Sequence, residues 1–528
     1  MTKLIALNVS RLHRAVSFVL IQVLLLTVLP MAPANAQNAG LNLPRLGDAD
    51  SDELSPASER RLGQVVMQQL RRDDVVMEDT ELTEWLNRFA APLVATRNAS
   101  GRDFELFFVN DRSINAFALP GGFIGVHTGL VLTAQNESEL ASVLAHEIGH
   151  VTQRHIARQF GQQRQTTAIV IASVLLAILA ARANPDAAVG ALQLGDAAAR
   201  GRALGFSRDA EREADRVGLD MLSEAGFDPL GSVGFFQKLQ ATTRIYESNA
   251  PSYLRTHPLT SERIADMQTR TLSLKAKQRA DSIEFQLIKA RLKASGDETL
   301  DGYRNAINAF EADISIAPIT TGRAKTNPSK PIQASVFNDD ALINAGVAYY
   351  GLSVAHMLAR QFNESAQSLA KARDRLPTNH PMVLQQQVRL AVQSNDSVAA
   401  VQLADQALRI HPNSRPLTVA RLEALVQAQQ WARASSVVRD ELQVRRSDAE
   451  LWRIAAVVHN ENKEIGLAHR ATAERMALQG AWSAAIEQLG FAQRSPNVDF
   501  VTSAIIDARR KEFQEQAQRD KNDPINKK

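Results

Sequence analysis

Hydrophobic and polar positions divide the chain into stretches with different periods. Val16–Leu29 is an unbroken apolar run, and residues 37–57 are polar and rich in Asp, Pro and Ser. Apolar residues at helical spacing then predict helices over 58–71 and 78–97. Asp103–Asn110 and Ile114–Val131 are dominated by Phe, Val, Ile and Leu and read as strands, with a turn at Pro120-Gly121-Gly122. The next helix opens at Asn136, whose side chain can cap it while Glu139 reaches back in a capping box. Leu140, Val143, Leu144 and Ile148 recur along one face and predict that this helix is buried. Residues 168–180 form the most apolar internal run, too short to span a bilayer. It reads either as a buried helix or as a helical hairpin that covers a site or dips into a membrane surface. Gly190, Gly195, Gly201 and Gly205 after it predict loose helical packing.

Beyond residue 280 the chain changes character: glycine thins out and Ala-, Leu- and Gln-rich helices dominate. Phe362–Pro377 is echoed by Ser397–Pro412, a third copy starts at Trp431, and degenerate copies lie near Ile465 and Ala481. A period of 34–35 residues is that of tetratricopeptide repeats, in which small Ala side chains let paired helices approach closely and a proline stops the second helix. Stacked repeats form a concave surface for a protein partner; a plain helical bundle is the alternative. Residues 318–335, with Pro and Lys, read as an exposed loop, and the last dozen as a charged, disordered tail.

Composition adds an address. Lys3, Arg11 and Arg14 precede the Val16–Leu29 run, and Ala34-Asn35-Ala36 has the form of a signal-peptidase site, so residues 1–36 read as a secretory signal, with a retained membrane anchor as the alternative. The formal charge of +3 equals the charge on those three side chains, so residues 37–528 are neutral overall and nothing points to nucleic acid. There is no cysteine, which excludes disulfides and a lipoprotein anchor. An exported chain of this kind is stabilised by packing alone, and it is long enough for two or three cores.

The candidate chemistry lies in the buried helix. His146-Glu147-Ile148-Gly149-His150 is an H-E-x-x-H run. Histidines four apart share a helix face and can offer both imidazoles to one zinc ion, and Glu147 is placed to act as general base on a water. A catalytic zinc takes three protein ligands. Metzincins place the third six residues after the second histidine, where this chain has Ile156, and His155 falls one residue too early to share the face. The metzincin pattern is therefore excluded and His155 reads as a packing or surface residue. Glu211-Arg212-Glu213-Ala214-Asp215 offers an acidic ligand instead. Glu211 and Asp215 share a face, so Glu211 would bind the metal and Asp215 would hydrogen-bond a ligand histidine and fix its tautomer, with Glu213 pointing elsewhere.

These residues resemble the minigluzincin peptidases related to the CaaX prenyl protease and mitochondrial Oma1. The likeness extends to Asn115-Ala116-Phe117-Ala118-Leu119-Pro120-Gly121-Gly122 before the metal helix and to Arg255-Thr256-His257-Pro258-Leu259-Thr260 with Arg263 after the acidic run. With the signal and the repeats, the whole chain resembles the periplasmic beta-barrel assembly-enhancing proteases. The resemblance implies zinc held by His146, His150 and Glu211, endopeptidase activity with Glu147 as base, and a role for His257 that is either a plug on the zinc, an oxyanion stabiliser or structural. It implies unfolded or misassembled protein substrates, and outer-membrane beta-barrel proteins or their assembly machinery as partners of the repeats, in the periplasm of a Gram-negative bacterium. A repeat-based chaperone with a latent zinc domain is the rival. The strand at Asn115–Leu119 could pair with an extended substrate or form an ordinary hairpin. The expected architecture is mainly α: a signal (1–36), an α+β zinc protease domain with a small sheet (37–275), an all-α repeat solenoid (280–515) and a tail (516–528).

Overall fold

The computed structural model describes residues 55–158, 207–245, 252–277, 279–316, 333–496 and 498–522. The signal at 1–36, the apolar run at 168–180 with the glycines after it, and most of the loop expected at 318–335 lie outside the described residues.

Helix α1 (Pro56–Arg72) is capped by the Ser55 side chain, and α2 (Thr80–Val94) by Asp79, which accepts from the Leu82 amide. Both lie where apolar periodicity places them, and both bury their apolar stripe. The sheet has three strands: β1 (Glu105–Val109), β2 (Ala116–Leu119) and β3 (Phe123–His127), in the order β1-β3-β2. β3 runs parallel to β1 and antiparallel to β2, with Ala116 opposite Val126. Among the described residues β2 pairs on one side only and is an edge strand. Pro120–Gly122 turns the chain between β2 and β3, with Gly121 and Gly122 at φ 76° and 91°. A Cβ at Gly121 would lie 2.4 Å from the Arg60 Cα, so this turn needs glycine for the positive φ and for the close approach of α1.

The strand expected to reach Val131 ends at His127, and Thr128–Thr133 is a short helix, α3. All six residues are apolar or small, so period alone could not separate strand from helix. The decision is tertiary: the Thr128 hydroxyl and the Gly129 amide both donate to the Asp111 carbonyl, which turns the chain out of the sheet. Helix α4 (Glu137–Thr152) follows, capped by the Asn136 side chain on the Glu139 amide. The Glu139 carboxylate reaches back to the Gln135 amide, one residue further than a capping box. α4 is the centre of the fold. It packs against β2, α2, α5 (Arg208–Glu224) and α6 (Leu230–Ile245), so nearly every side chain on it is buried. Two short helices complete this part, α7 (Ser252–Thr256) and α8 (Ser261–Leu272).

From Ile283 the described chain is helical throughout. α9 (Ile283–Ser295), α10 (Leu300–Ile316) and α11 (Gln333–Leu358) lead into α12 (Phe362–Arg373), α13 (Pro381–Gln393), α14 (Ser397–Ile410), α15 (Arg415–Gln427), α16 (Trp431–Val444), α17 (Ala449–Glu461), α18 (Ile465–Leu478), α19 (Trp482–Arg494) and α20 (Phe500–Asn522). Helices begin at Phe362, Ser397, Trp431 and Ile465, the residues at which the repeat pattern restarts. The tight turn before each uses one left-handed residue, Arg360, Asn395, Gln429 and Lys463 in order.

One hydrophobic cluster runs from Leu82 and Trp85 on α2, through Leu140–Ile148 on α4, to α9, α11 and α13. A buried ion network crosses the same seam: Arg291 of α9 donates to Asp79 and Glu81 at the start of α2, and Arg389 of α13 lies 3.2 Å from Glu81. The expected tail also needs correcting. Residues 516–522 continue α20, because Asp520 pairs with Arg61 of α1 and accepts from the Trp482 indole at 2.5 Å. Two partners distant in sequence order a segment whose own composition reads as disordered.

Candidate active site

Helices α4 and α5 carry the residues that the sequence singled out, about 60 positions apart, and small residues let them meet. A Cβ on Gly149 would lie 3.1 Å from the Ala214 carbonyl, and one on Gly218 would lie 3.1 Å from the His146 amide. The two backbones therefore touch along a seam with no room for side chains, and the polar faces converge at one end of it.

Four side chains meet there. One donor atom from each of His146, His150, Glu211 and His257 lies within 4.8 Å of all the others, and all four residues are buried. His146 Nε2 is 3.0 Å from His150 Nε2 and 3.5 Å from Glu211 Oε2. His150 Nε2 is 3.4 Å from Glu211 Oε1. His257 Nδ1 is 3.3 Å from His146 Nε2 and 3.0 Å from Glu211 Oε1, and its Nε2 is 3.6 Å from Glu147 Oε1. His257 follows α7 directly. α7 is held by its Tyr253 amide on the Ile114 carbonyl, and the Tyr253 ring stacks on His257 at 4.6 Å.

The arrangement calls for a cation. His146 Nδ1 is 3.0 Å from Asp215 Oδ1, and in the neutral ring a hydrogen directed at that carboxylate leaves the lone pair on Nε2. That lone pair faces the His150 nitrogen and the Glu211 carboxylate. Without positive charge between them these atoms repel. The same demand appears in the proton affinities. Burial disfavours an imidazolium at His146, yet hydrogen bonds and charge from Asp215 and Glu211 outweigh it and push the group up to about 10. Burial would likewise raise Glu211, but His257, His146 and His150 hold it far below the carboxylate range. Three imidazole nitrogens and a carboxylate oxygen, with no thiolate in the chain, form a donor set that suits zinc and other imidazole-preferring divalent ions.

Glu147 lies beside this cluster, fully buried, and neither carboxylate oxygen has a hydrogen-bond partner. Burial pushes it upward, opposed by His257 and His146. A carboxylate moved toward neutral pH is suited to exchange protons at that pH. A small pocket of mixed lining, with Val143, Leu219, Leu222, Phe236 and Met267 alongside Ser142, Ser232 and Asp215, borders His146 and Tyr253.

Two further side chains complete the surroundings. Arg263, on α8, grips Asp215 with two bonds of 2.7 Å, reaches Glu211 Oε2 at 2.7 Å and also donates to the Pro258 carbonyl. The sequence marked Arg263 only as part of a motif; its spacing from Glu211 gave no sign that one guanidinium serves both carboxylates. His155 is the other. It is buried, with Nδ1 2.8 Å from His150 Nδ1, and Glu213 turns away from the cluster to meet its Nε2. The reading of His155 as off the face assumed one continuous helix. α4 ends at Thr152, Arg154 adopts φ 53°, and the helical turn that restarts at His155 brings the ring back toward His150.

Comparison with known proteins agrees. Residues 80–271 match the model of peptidase family M48. A relative from Vibrio cholerae serotype O1 is 37% identical over 290 residues, 54% of this chain and 60% of its own length. The beta-barrel assembly-enhancing protease of Escherichia coli strain K12 is 30% identical over 488 residues, 92% of this chain and 93% of that protein. The mitochondrial metalloendopeptidase OMA1 of Arabidopsis thaliana is 32% identical over 189 residues, 35% of this chain and 36% of that protein. With likeness along nearly its whole length and a buried histidine–carboxylate cluster at its centre, the chain belongs to peptidase family M48 and is a metallopeptidase.

Proposed function

We propose that the protein is a zinc-dependent endopeptidase of the Gram-negative periplasm, acting on unfolded or misassembled proteins in the quality control and assembly of outer-membrane beta-barrels. The observation that carries the chemistry is the convergence of His146, His150 and Glu211 beside the buried Glu147. The biological setting rests on the likeness to the beta-barrel assembly-enhancing protease of Escherichia coli over 92% of the chain. His146, His150 and Glu211 would hold the metal. A zinc ion there supplies Lewis-acid polarisation of the scissile carbonyl and acidifies the attacking water. Glu147 takes the proton of that water and passes it to the leaving amine. Asp215 keeps the His146 Nε2 lone pair turned to the metal. The edge of β2 that is unpaired among the described residues would offer backbone groups to an extended substrate, beside α4, which packs on this strand. The helical hairpins from α12 onward, read as tetratricopeptide repeats, would hold the client or its assembly machinery.

His257 supports a restrained resting state. A catalytic zinc keeps a position open, whereas here a fourth donor, His257 Nδ1, stands within the cluster. In that position it would plug the site. The same observation is what favours the rival reading, a repeat-based chaperone with a latent zinc domain. The experiment that separates them is zinc content together with casein cleavage by the unmodified protein and Glu147→Gln. The enzyme reading expects both proteins to carry zinc and only the first to cleave. Equal cleavage rates would remove Glu147 from its role, and a zinc-loaded unmodified protein with no cleavage of unfolded substrates would favour the latent domain.

A further inference from the structure

The two histidines of α4 are held in different ways. His146 Nδ1 meets the Asp215 carboxylate directly, at 3.0 Å. His150 Nδ1 meets another imidazole, His155 Nδ1, at 2.8 Å. His155 Nε2 lies 3.0 Å from Glu213 Oε2, and Arg158 NH2 lies 2.7 Å from the same oxygen. The protons in this chain can be placed by elimination. A carboxylate accepts, so His155 Nε2 carries the hydrogen. A neutral His155 then has a lone pair on Nδ1, which must receive a hydrogen from His150 Nδ1. His150 Nε2 is left with the lone pair that a metal needs. The opposite order, with hydrogen on His155 Nδ1, would force the proton of His150 onto Nε2 and remove it from the donor set.

We infer that His155 and Glu213 are positioning residues of the metal centre, a histidine–carboxylate relay that fixes the tautomer and ring orientation of His150. The inference rests on the reading of this site as a zinc centre. Neither residue enters the donor cluster; both act through His150. Glu213 sits at the outer end, with 39% of its side chain exposed, while His155 is 3% exposed. The relay thus runs from the protein surface to the buried metal site through a single ring.

The test uses the full-length protein stripped of metal. Zinc affinity is measured by competition with a chromophoric chelator, and geometry by the d–d spectrum of the cobalt(II) form. Losing an outer-sphere partner of a ligand histidine typically weakens metal binding by about 10–100-fold. That loss is expected for His155→Leu, with an altered cobalt spectrum. His155→Gln, whose amide oxygen can accept from His150 and whose NH2 can donate to Glu213, should recover most of the affinity. Glu213→Ala, at a half-exposed position, should fold normally and lose affinity in the same direction by less. Unmodified zinc affinity in His155→Leu would overturn the relay, as would equal weakening by Leu and Gln, since that pattern reports packing. If His155→Leu does not fold, Glu213→Ala decides: an unchanged affinity and spectrum overturn the inference. Failure of the unmodified protein to bind zinc in the same titration would instead defeat the zinc-centre reading beneath it.

Discussion

Arg263 is the side chain whose removal should reveal how the site is stabilised. It is 4% exposed and sits between Asp215 and Glu211, with three contacts of 2.7 Å to the two carboxylates. Arg263→Met keeps most of the volume and removes the charge. Two buried carboxylates then lose the guanidinium between them, and breaking a buried pair from one side costs about 3–5 kcal/mol. Because one guanidinium serves two anions, the upper half of that range is expected. That is a large share of the 5–15 kcal/mol that typically separates folded from unfolded protein. The loss should depend on metal. A bound cation neutralises Glu211 directly, so the variant should bind zinc more tightly and gain more from it than the unmodified protein, which itself gains about 2.7 kcal/mol at about a hundred times its dissociation constant. Urea unfolding in a chelator and in excess zinc measures both terms. Arg263→Met should show its full loss in chelator and a smaller one in zinc. Adding Asp215→Asn should recover part of it, because one buried charge is gone. An unchanged midpoint for Arg263→Met in chelator would refute the counter-ion argument. So would a double variant no more stable than the single one, which would point to lost packing.

Two other outcomes are expected. His257→Ala should raise basal proteolysis and self-cleavage, both abolished by adding Glu147→Gln; a folded variant with 10²–10³-fold lower activity would assign His257 to oxyanion stabilisation instead. Asp111 gives a pH dependence. Burial opposes its charge, but His127 and the Ser113 amide hold its carboxyl below the usual range. A depressed carboxyl contributes stability above its unfolded value of about 4 and loses it as pH falls from there. Asp111→Asn should therefore flatten the acid limb of stability below about pH 4, as read by denaturation midpoints between roughly pH 2 and 7; an acid limb as steep as that of the unmodified protein would refute it.

The continuous core also changes where the chain can be divided. Ending the chain before α11 would remove Tyr350, Leu352 and Ala355, which pack in the same cluster as α4. A truncation that tests the repeats has to leave α11 to α13 in place, since Leu390 still belongs to that cluster and Val388 to the next.

Local chemistry in the sequence determined a good deal. A helix is written by side chains three and four apart and by its first residue, so α4 with its Asn136 cap, the shared face of His146 and His150, and the pairing of Glu211 with Asp215 could be read directly. The starts of the repeat helices could be read for the same reason: a period of 34–35 residues recurs whatever the neighbours do. Only tertiary structure decided the remainder. Gly149 and Gly218 carry no chemistry of their own, yet their lack of side chains sets how closely α4 and α5 approach and so whether His146, His150 and Glu211 can meet. The break at Arg154 returns His155 to His150, Arg263 reaches two carboxylates 48 and 52 positions away, and Asp520 orders the end of α20 against Arg61. Each depends on a partner distant along the chain, and no periodicity records such a partner, because the contact energy exists only after the backbone has brought the two segments together.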